Sequence, residues 1–244
     1  MPNYVRTLTV VYDTDIQLKE ISLFRGAIIG TLGDKADVLY HNHTGEDTYR
    51  YAYPLIQYKR IKGKAAIVCI ERGADLIGEV MINTPDSIKL GDREVPIDIS
   101  KVIPSRMVVQ TWEDTFNYHI SRWLPLNSKN YVEFQSLGGM VEKVVMLENL
   151  LVANLLSMLK GLGIHLEKEL TVKLVNLSEP YVVYHKGVGM TAFNADFTTN
   201  LSIPNNFGIG KNASIGCGVV RQVRHQETDP NGDNKEENQN TEES

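Results

Sequence analysis

The stretch "YAYPLIQYKRIKGKAAIVCIERGADLIGEVMI", residues 51–82, contains two strand-like runs followed by a helix-like run. The runs 51–61 and 64–74 are rich in aromatic and aliphatic residues, and the Lys62-Gly63 pair between them suits the tight turn of a hairpin. Residues 75–82 have a helical composition. Strand, strand, helix is the middle of a split βαβ unit, so the flanking residues should supply its first strand, first helix and last strand.

The residues on both sides supply these elements. Residues 5–12 alternate and are rich in Val and Thr, which is typical of a strand. Residues 15–32 place apolar side chains at helical spacing behind Asp15, a candidate helix cap. Residues 87–97 predict a second hairpin around Gly91-Asp92. The order strand, helix, strand, strand, helix, strand is that of a ferredoxin-like domain.

The second half of the chain predicts a second unit made of one strand, one helix and several further strands. A strand-like run at 105–116 precedes the strongest helical pattern of the chain, residues 138–164, which has one wide apolar face. Three more strand-like runs follow, at 169–177, 181–186 and 189–203. The sequence therefore predicts an α+β protein of two tandem ferredoxin-like (βαββαβ) domains, residues 1–100 and 101–225.

Composition is that of an ordinary soluble protein, with 42 % hydrophobic and 23 % charged residues. Two cysteines cannot form a disulfide framework, so we expect a cytoplasmic location. Every long apolar run is interrupted by a polar residue well short of a bilayer span, and the first residues lack a secretory pattern. We therefore expect no membrane association.

The net charge of -5 is concentrated at the C-terminal end. Residues 226–244 hold seven acidic residues and one lysine, which contribute about -6 and leave a body close to neutral. This segment has no large apolar residue, so the sequence predicts a disordered acidic tail over 226–244. The charge of the body neither favours nor excludes an RNA partner.

A glycine-rich stretch, "IPNNFGIGKNASIGCGVVRQV", occupies residues 203–223. Glycines at alternate positions allow positive φ and close backbone approach, so consecutive N–H groups can form an anion-binding nest. The spacing of a P-loop is absent, and no dinucleotide fingerprint opens a helix here. A flexible hairpin without a ligand is the alternative interpretation.

Two histidines, His41 and His43, lie two positions apart in the polar stretch "LYHNHTGEDTYRYAYP", residues 39–54. In an extended segment both rings point to the same side, and imidazole titrates near neutral pH, so the pair suits acid–base chemistry. A metal site would need further ligands at fitting spacing, which the sequence does not offer. Two solvated loop histidines without a role are the other alternative. The remaining histidines are scattered and receive no predicted role.

Taken together, these stretches make the chain resemble the CRISPR repeat-processing endoribonucleases of the RAMP superfamily. The similarity rests on two ferredoxin-like units, a histidine loop after the first helix and a glycine loop near the C-terminus. It extends from "FRGAI" and "YPLIQYK" in the first half to "LLVANLLSMLKGLGI" and "TNLSIPNNFGIGKNASIGCG" in the second. These stretches are spread over residues 5–221, nearly the whole expected folded body.

The resemblance implies cleavage of CRISPR repeat RNA without metal or other cofactor. In this reaction the 2′-hydroxyl attacks the adjacent phosphate and leaves a 2′,3′-cyclic phosphate and a 5′-hydroxyl. The catalytic residues it implies are His41 and His43, with His43 marginally favoured, and Tyr49 and Lys59 to orient or stabilise the phosphorane. The RNA-binding residues it implies are Arg50, Gly208, Gly210, Lys211, Asn212, Ser214, Gly216, Gly218 and Arg221.

The sequence departs from the family in one respect, because residues 17–31 contain no tyrosine, whereas many relatives place a catalytic tyrosine in the first helix. The expected partner is CRISPR repeat RNA, and other CRISPR-associated proteins and a second copy of the chain are compatible partners. Two rival functions stay open. One is a non-catalytic RAMP subunit that holds guide RNA in an effector complex, and the other is a small-anion binder using the glycine loop.

Overall fold

The computed structural model describes residues 3–32 and 53–223. Its first sheet is antiparallel, with the strand order β2-β3-β1-β6. Two helices, α1 (Ile21–Leu32) and α2 (Arg72–Asn83), lie between these strands in the chain, and a short 3₁₀ turn, Leu18–Glu20, precedes α1. The strands of the first half are β1 (Tyr4–Asp15), β2 (Ile56–Ile61), β3 (Lys64–Ile70), β4 (Ser87–Leu90), β5 (Arg93–Pro96) and β6 (Ile99–Val108).

The predicted β2–β3 hairpin is present, with both turn residues in the left-handed region. Lys62 has φ 50° and Gly63 has φ 89°, as a tight hairpin turn requires. Helix α1 packs on this sheet through edge-to-face aromatic contacts, because the Phe24 ring lies between those of Tyr12 and Tyr58. The first unit thus has the strand order of a ferredoxin-like domain.

The last strand of the first unit differs from the prediction. The β4–β5 hairpin forms its own two-stranded ribbon. The fourth strand is instead β6, which pairs with β1 from Tyr4↔Val108 to Tyr12↔Ile99. A strand predicted at 105–116 is in fact two strands that belong to different sheets, so the first sheet continues past the expected boundary at residue 100. Long-range pairing with β1 makes β6 the fourth strand, and no local sequence pattern indicates that pairing.

The second unit has the same strand order as the first, with a loop in place of its second helix. Its sheet has the order β11-β7-β10-β8, and β9 pairs with the first part of β10. The strands are β7 (Thr111–Trp123), β8 (Val172–Leu177), β9 (Tyr181–His185), β10 (Val188–Leu201) and β11 (Val219–Gln222). Helices α3 (Ser128–Ser136) and α4 (Met140–Gly161) follow β7. Residues 202–218, here called the glycine loop, stand where the second helix of this unit is expected.

Helix α4 confirms the strongest helical pattern in the sequence. It is the one described helix that is long and apolar enough, by length and composition, to cross a membrane. Its fully buried side chains, Leu147, Leu151, Leu155 and Met158, pack in the core of the second unit. That packing accounts for the apolar face of a core helix.

The two units share one core. Val5, Val68 and Ile70 of the first sheet belong to the same buried cluster as Trp123 and Leu155 of the second unit. A separate cluster lies between the first sheet and its helices. The fold is therefore two tandem ferredoxin-like units, as the sequence predicted, and the structure shows in addition that continuous packing joins them.

Candidate functional site

The glycine loop crosses from the second unit to the first and closes the free edge of β2. The Tyr58 N–H donates to the Ser214 carbonyl at 2.8 Å, and Tyr58 forms a parallel bridge with Ile215. The Gln57 side chain accepts from the Gly208 N–H at 2.8 Å. These contacts fix the loop against an edge strand that would otherwise expose unpaired backbone groups.

The glycines of the loop are required by packing. At Gly216 (φ +80°) a Cβ atom would lie 2.5 Å from Ile21 Cδ1, and at Gly210 (φ +81°) it would lie 2.7 Å from an Asn154 oxygen. Gly218 (φ +60°) is more restricted, because a Cβ there would overlap the Ile209 carbonyl. Only glycine combines this left-handed backbone with such close contacts.

The anion-binding nest expected from the glycine spacing is already partly occupied by protein acceptors. The Gly208 N–H donates to Gln57, and the Gly218 N–H donates to the Arg122 carbonyl at 3.0 Å. Lys211 is exposed, and Asn212 and Ser214 are half-buried. RNA contact by the loop stays a prediction, and these three polar residues are the part of the loop best placed to make it.

Lys59 lies beneath the loop and not on the surface. Its side chain is 1 % exposed, and its ammonium donates to the Ala213 carbonyl at 2.9 Å. Burial lowers the pKa of Lys59 from 10.5 to about 7. This position does not support the predicted contact of Lys59 with a phosphorane, and instead makes Lys59 a tie between β2 and the glycine loop.

The buried Lys59 should make folding stability depend on pH. The unfolded chain holds the Lys59 proton up to about pH 10.5, whereas the folded chain releases it near 7. The unfolded state therefore binds more protons between these values, and stability rises with pH across that window. Lys59→Met should remove this gain, so its melting temperature should fall relative to the wild-type value as pH rises from 7 to about 10.

Thermal melts of both proteins across this pH range measure the effect, with Lys101→Met on the exposed part of β6 as the matched control. Loss of the hydrogen bond to Ala213 shifts the Lys59→Met curve by a constant amount, so the pH dependence of the difference is the quantity to read. Parallel curves for wild type and Lys59→Met would contradict a lowered pKa of Lys59.

A cleft of about 980 Å³ opens beside the loop, between the two units. The 3₁₀ turn before α1 and the β2–β3 turn form one side, while β7, β9 and β11 form the other. None of its described lining residues is Asp or Glu. The cationic side chains that line it are Lys19, Arg60, Lys62, Arg122 and Arg221. Cations gathered without carboxylates make a surface suited to a polyanion.

Backbone carbonyls hold two of these arginines in the cleft. Arg60 Nε donates to the Ile16 carbonyl at 2.6 Å, and Arg122 Nη1 donates to the Leu18 carbonyl at 3.2 Å. Arg122 has φ 52° at a position where the register between β7 and β10 shifts. A bulge of this kind re-aims a side chain, and here it stands in the strand that borders the cleft.

Aromatic side chains from β9 complete the wall. The Tyr184 residue is 74 % exposed, whereas the Tyr181 hydroxyl donates to the Asn194 side chain at 2.9 Å. Both tyrosines line the cleft. Exposed rings beside cations are the combination that binds single-stranded nucleic acid, since rings stack on bases while cations bind phosphates.

The cleft continues into a narrower groove that reaches Ser22, His185 and Asn212. The pKa of His185 is lowered, first by burial and then by the nearby cations Lys186, Arg25 and Lys211. The imidazole of His185 is therefore neutral at neutral pH. No role for this histidine is predictable from the sequence, because an isolated histidine at a strand end carries no local signal.

Four predicted site residues, His41, His43, Tyr49 and Arg50, lie outside the described residues, as does the predicted tail 226–244. Helix α1 ends at Leu32, shortly before the segment with the two histidines. Of the remaining predicted residues, Arg221 lines the cleft, and the glycine loop reaches it through Gly216. The sequence missed Lys19, Arg60, Lys62 and Arg122 as cleft residues, because only the fold brings them together.

Two ferredoxin-like units with a glycine loop and a cationic cleft between them define a protein of the RAMP class. The chain belongs to the Cas6b family: the Cas6b N-terminal domain model matches residues 3–107 and the Cas6b C-terminal domain model matches residues 110–223. The break between the two matches coincides with the junction of β6 and β7.

Similar proteins agree with this assignment. A crystal structure of Cas6b is 27 % identical, with a TM-score of 0.83, over 91 % of this chain and 100 % of that chain. The crystal structure of a CRISPR RNA processing endoribonuclease Cas6b is 25 % identical, with a TM-score of 0.71 and the same coverage. An uncharacterised protein of Methanocaldococcus jannaschii is 41 % identical over 104 residues, which are 43 % of this chain and 69 % of that protein.

Proposed function

We propose that this chain is an endoribonuclease that processes CRISPR repeat RNA. The observation that carries the proposal is the cleft between the units, whose described lining has five cationic side chains and no carboxylate. A family relative of similar fold is a CRISPR RNA processing endoribonuclease. Phosphates of the RNA bind along the cleft, and the exposed tyrosine of β9 stacks on an unpaired base.

The proposed reaction uses the RNA itself as nucleophile. A general base takes the proton of the 2′-hydroxyl, the 2′ oxygen bonds to phosphorus, and the bond from phosphorus to the 5′ oxygen breaks. A general acid gives a proton to the leaving 5′ oxygen, so the products are a 2′,3′-cyclic phosphate and a 5′-hydroxyl. We assign the acid and base to His41 and His43, because imidazole exchanges protons near neutral pH.

Residues of the cleft and of the segments beside it are proposed to hold the RNA in position. Cations on both sides bind the RNA backbone without reading its sequence, and they position the RNA for attack. The affinity for RNA should therefore depend on salt concentration. Tyr49 and Arg50 are proposed to contact the reacting phosphate or its neighbour. Lys59 acts in this proposal by holding the glycine loop against β2, as its buried position indicates.

The test is cleavage of a CRISPR repeat RNA in EDTA, using a series of RNAs that each carry a single 2′-deoxy substitution. We expect cleavage to persist in EDTA and to stop when one particular 2′-hydroxyl is removed, while deoxy substitution at the neighbouring nucleotide leaves it unchanged. The RNA ends should be a cyclic phosphate and a 5′-hydroxyl, read by mass spectrometry.

Other results would change the assignment. Loss of cleavage in EDTA would replace the proposed mechanism with a metal-dependent one. Tight binding without cleavage would indicate a non-catalytic subunit. Binding of mononucleotides but not of RNA would indicate a small-anion binder.

A further inference from the structure

A row of polar side chains crosses the second sheet at the margin of the cleft. Strand pairing places Arg221 of β11 opposite His119 of β7, His119 opposite Asp196 of β10, and Asp196 opposite Asn176 of β8. His119 Nδ1 and Asp196 Oδ1 are 2.7 Å apart, and the Asn176 amide donates to the other Asp196 oxygen at 3.3 Å. These four residues are here called the polar row.

The polar row lies on the open face of the sheet. The side chains of His119 and Asp196 are each 42 % exposed, and Asn176 and Arg221 are exposed. The alternate residues of the same strands, including Tyr118, Ile120 and Phe197, are buried in the core. Because side chains alternate between faces along a strand, the row and the core lie on opposite sides.

The row is directly adjacent to the cleft. Ser121, two residues beyond His119 on β7, lines the cleft, as does Asn194, two residues before Asp196 on β10. Two residues advance roughly 7 Å along a strand, which places the row next to the cleft margin. Arg221 belongs to both surfaces, so a chain that leaves the cleft across this margin meets the row first.

The two central strands, β7 and β10, carry the His119–Asp196 pair. RNA-binding sheets of the same ferredoxin-like order present rings on their exposed face and stack unpaired bases on them. Asp196 holds the His119 ring through Nδ1 and therefore fixes a stacking surface. A carboxylate cannot bind phosphate, but it accepts hydrogen bonds from base N–H groups, and Arg221 supplies the cation for a phosphate.

We propose that the polar row binds one unpaired nucleotide of the RNA just outside the cleft, with its base stacked on His119 and its phosphate on Arg221. This site rests on the proposed function, since the RNA it holds is the one that enters the cleft. Its contribution is to the affinity of the bound strand, and the reacting phosphate lies elsewhere.

The test compares RNA affinities of the full chain and its variants. The probe is repeat RNA made uncleavable by a 2′-deoxy substitution, measured by fluorescence anisotropy. His119→Ala should weaken binding about 10-fold, within the range for loss of one base–ring stack. His119→Tyr keeps a ring and should stay within about threefold of wild type. His165→Ala, an exposed histidine away from the cleft, is the matched control and should bind normally.

A measurement on the wild-type protein avoids any effect of the substitutions on folding. Repeat RNA should protect His119, but not His165, from carbethoxylation by diethyl pyrocarbonate, as read by peptide mass spectrometry.

Equal affinities for the His119→Ala and His165→Ala variants, or no protection of His119, would overturn the site while the proposed function stands. Equal losses in His119→Ala and His119→Tyr would overturn base stacking. Absence of RNA binding by the wild type would instead remove the proposed function, and the site with it.

Discussion

Replacing His41 and His43 together with alanine is expected to slow cleavage of repeat RNA by about 10³-fold or more, with affinity for the RNA nearly unchanged. A positioned acid or base typically accelerates a reaction 10²- to 10⁴-fold, and loss of both histidines would remove both assisted proton transfers. The five cations that line the cleft are not altered by these substitutions, so the proposed binding of the RNA backbone should persist.

Single-turnover cleavage with excess protein measures the chemical step, and anisotropy with uncleavable RNA measures affinity. His165→Ala serves as the control for loss of an exposed histidine. The single variants then separate the roles, because loss of the base and loss of the acid should remove opposite limbs of a bell-shaped pH–rate profile. Unchanged cleavage in the double variant would assign the chemistry to other residues, with His185 in the adjoining groove the first to examine.

Gly218→Ala is expected to be the most destabilising single methyl addition in the glycine loop. A non-glycine residue at positive φ costs about 1–3 kcal/mol, and the added Cβ would also overlap the Ile209 carbonyl. A total of about 3 kcal/mol would lower the melting temperature of a chain of this size by roughly 6–12 °C. Cleavage should fall as well, because the loop forms the floor of the cleft through Gly216.

The matched control is Gly78→Ala in α2, where a Cβ meets nothing within 4 Å. Alanine is favoured over glycine in a helix interior by roughly 0.5–1 kcal/mol, so this variant should melt slightly higher than wild type. Opposite signs for the two substitutions would show that backbone conformation and contact decide the effect. Equal melting temperatures for Gly218→Ala and wild type would mean that the loop can adopt another arrangement.

The sequence predicts the parts of the fold that have a local cause. The β2–β3 hairpin follows from Lys62-Gly63, and α4 follows from a long apolar stripe, because turn chemistry and helical periodicity act within a few residues. The fourth strand of the first unit has no such cause. Exposed on both sides and interrupted by Pro104, β6 is defined by its pairing with β1 across nearly one hundred residues.

The site is predictable in the same uneven way. The glycine spacing pointed to the loop, but the role of Gly208 and Gly218 in packing depends on Gln57 and Arg122, which are far away in sequence. The resemblance implied that Lys59 orients or stabilises the phosphorane, and nothing local in its strand indicates that its side chain is buried. Only the docked loop explains its burial.

Closure of β2 by residues 213–215 also has a consequence during synthesis on the ribosome. The first unit emerges long before these residues, so its edge strand, with Tyr58 and Lys59 on it, is exposed to solvent and unpaired while the second unit is being made. Before the loop docks, Lys59 is hydrated and charged at neutral pH, and a charge on an exposed edge strand disfavours pairing with other nascent chains. We therefore expect Lys59 to lower the stability of the folded protein near neutral pH and to limit unwanted pairing of the unfinished first unit.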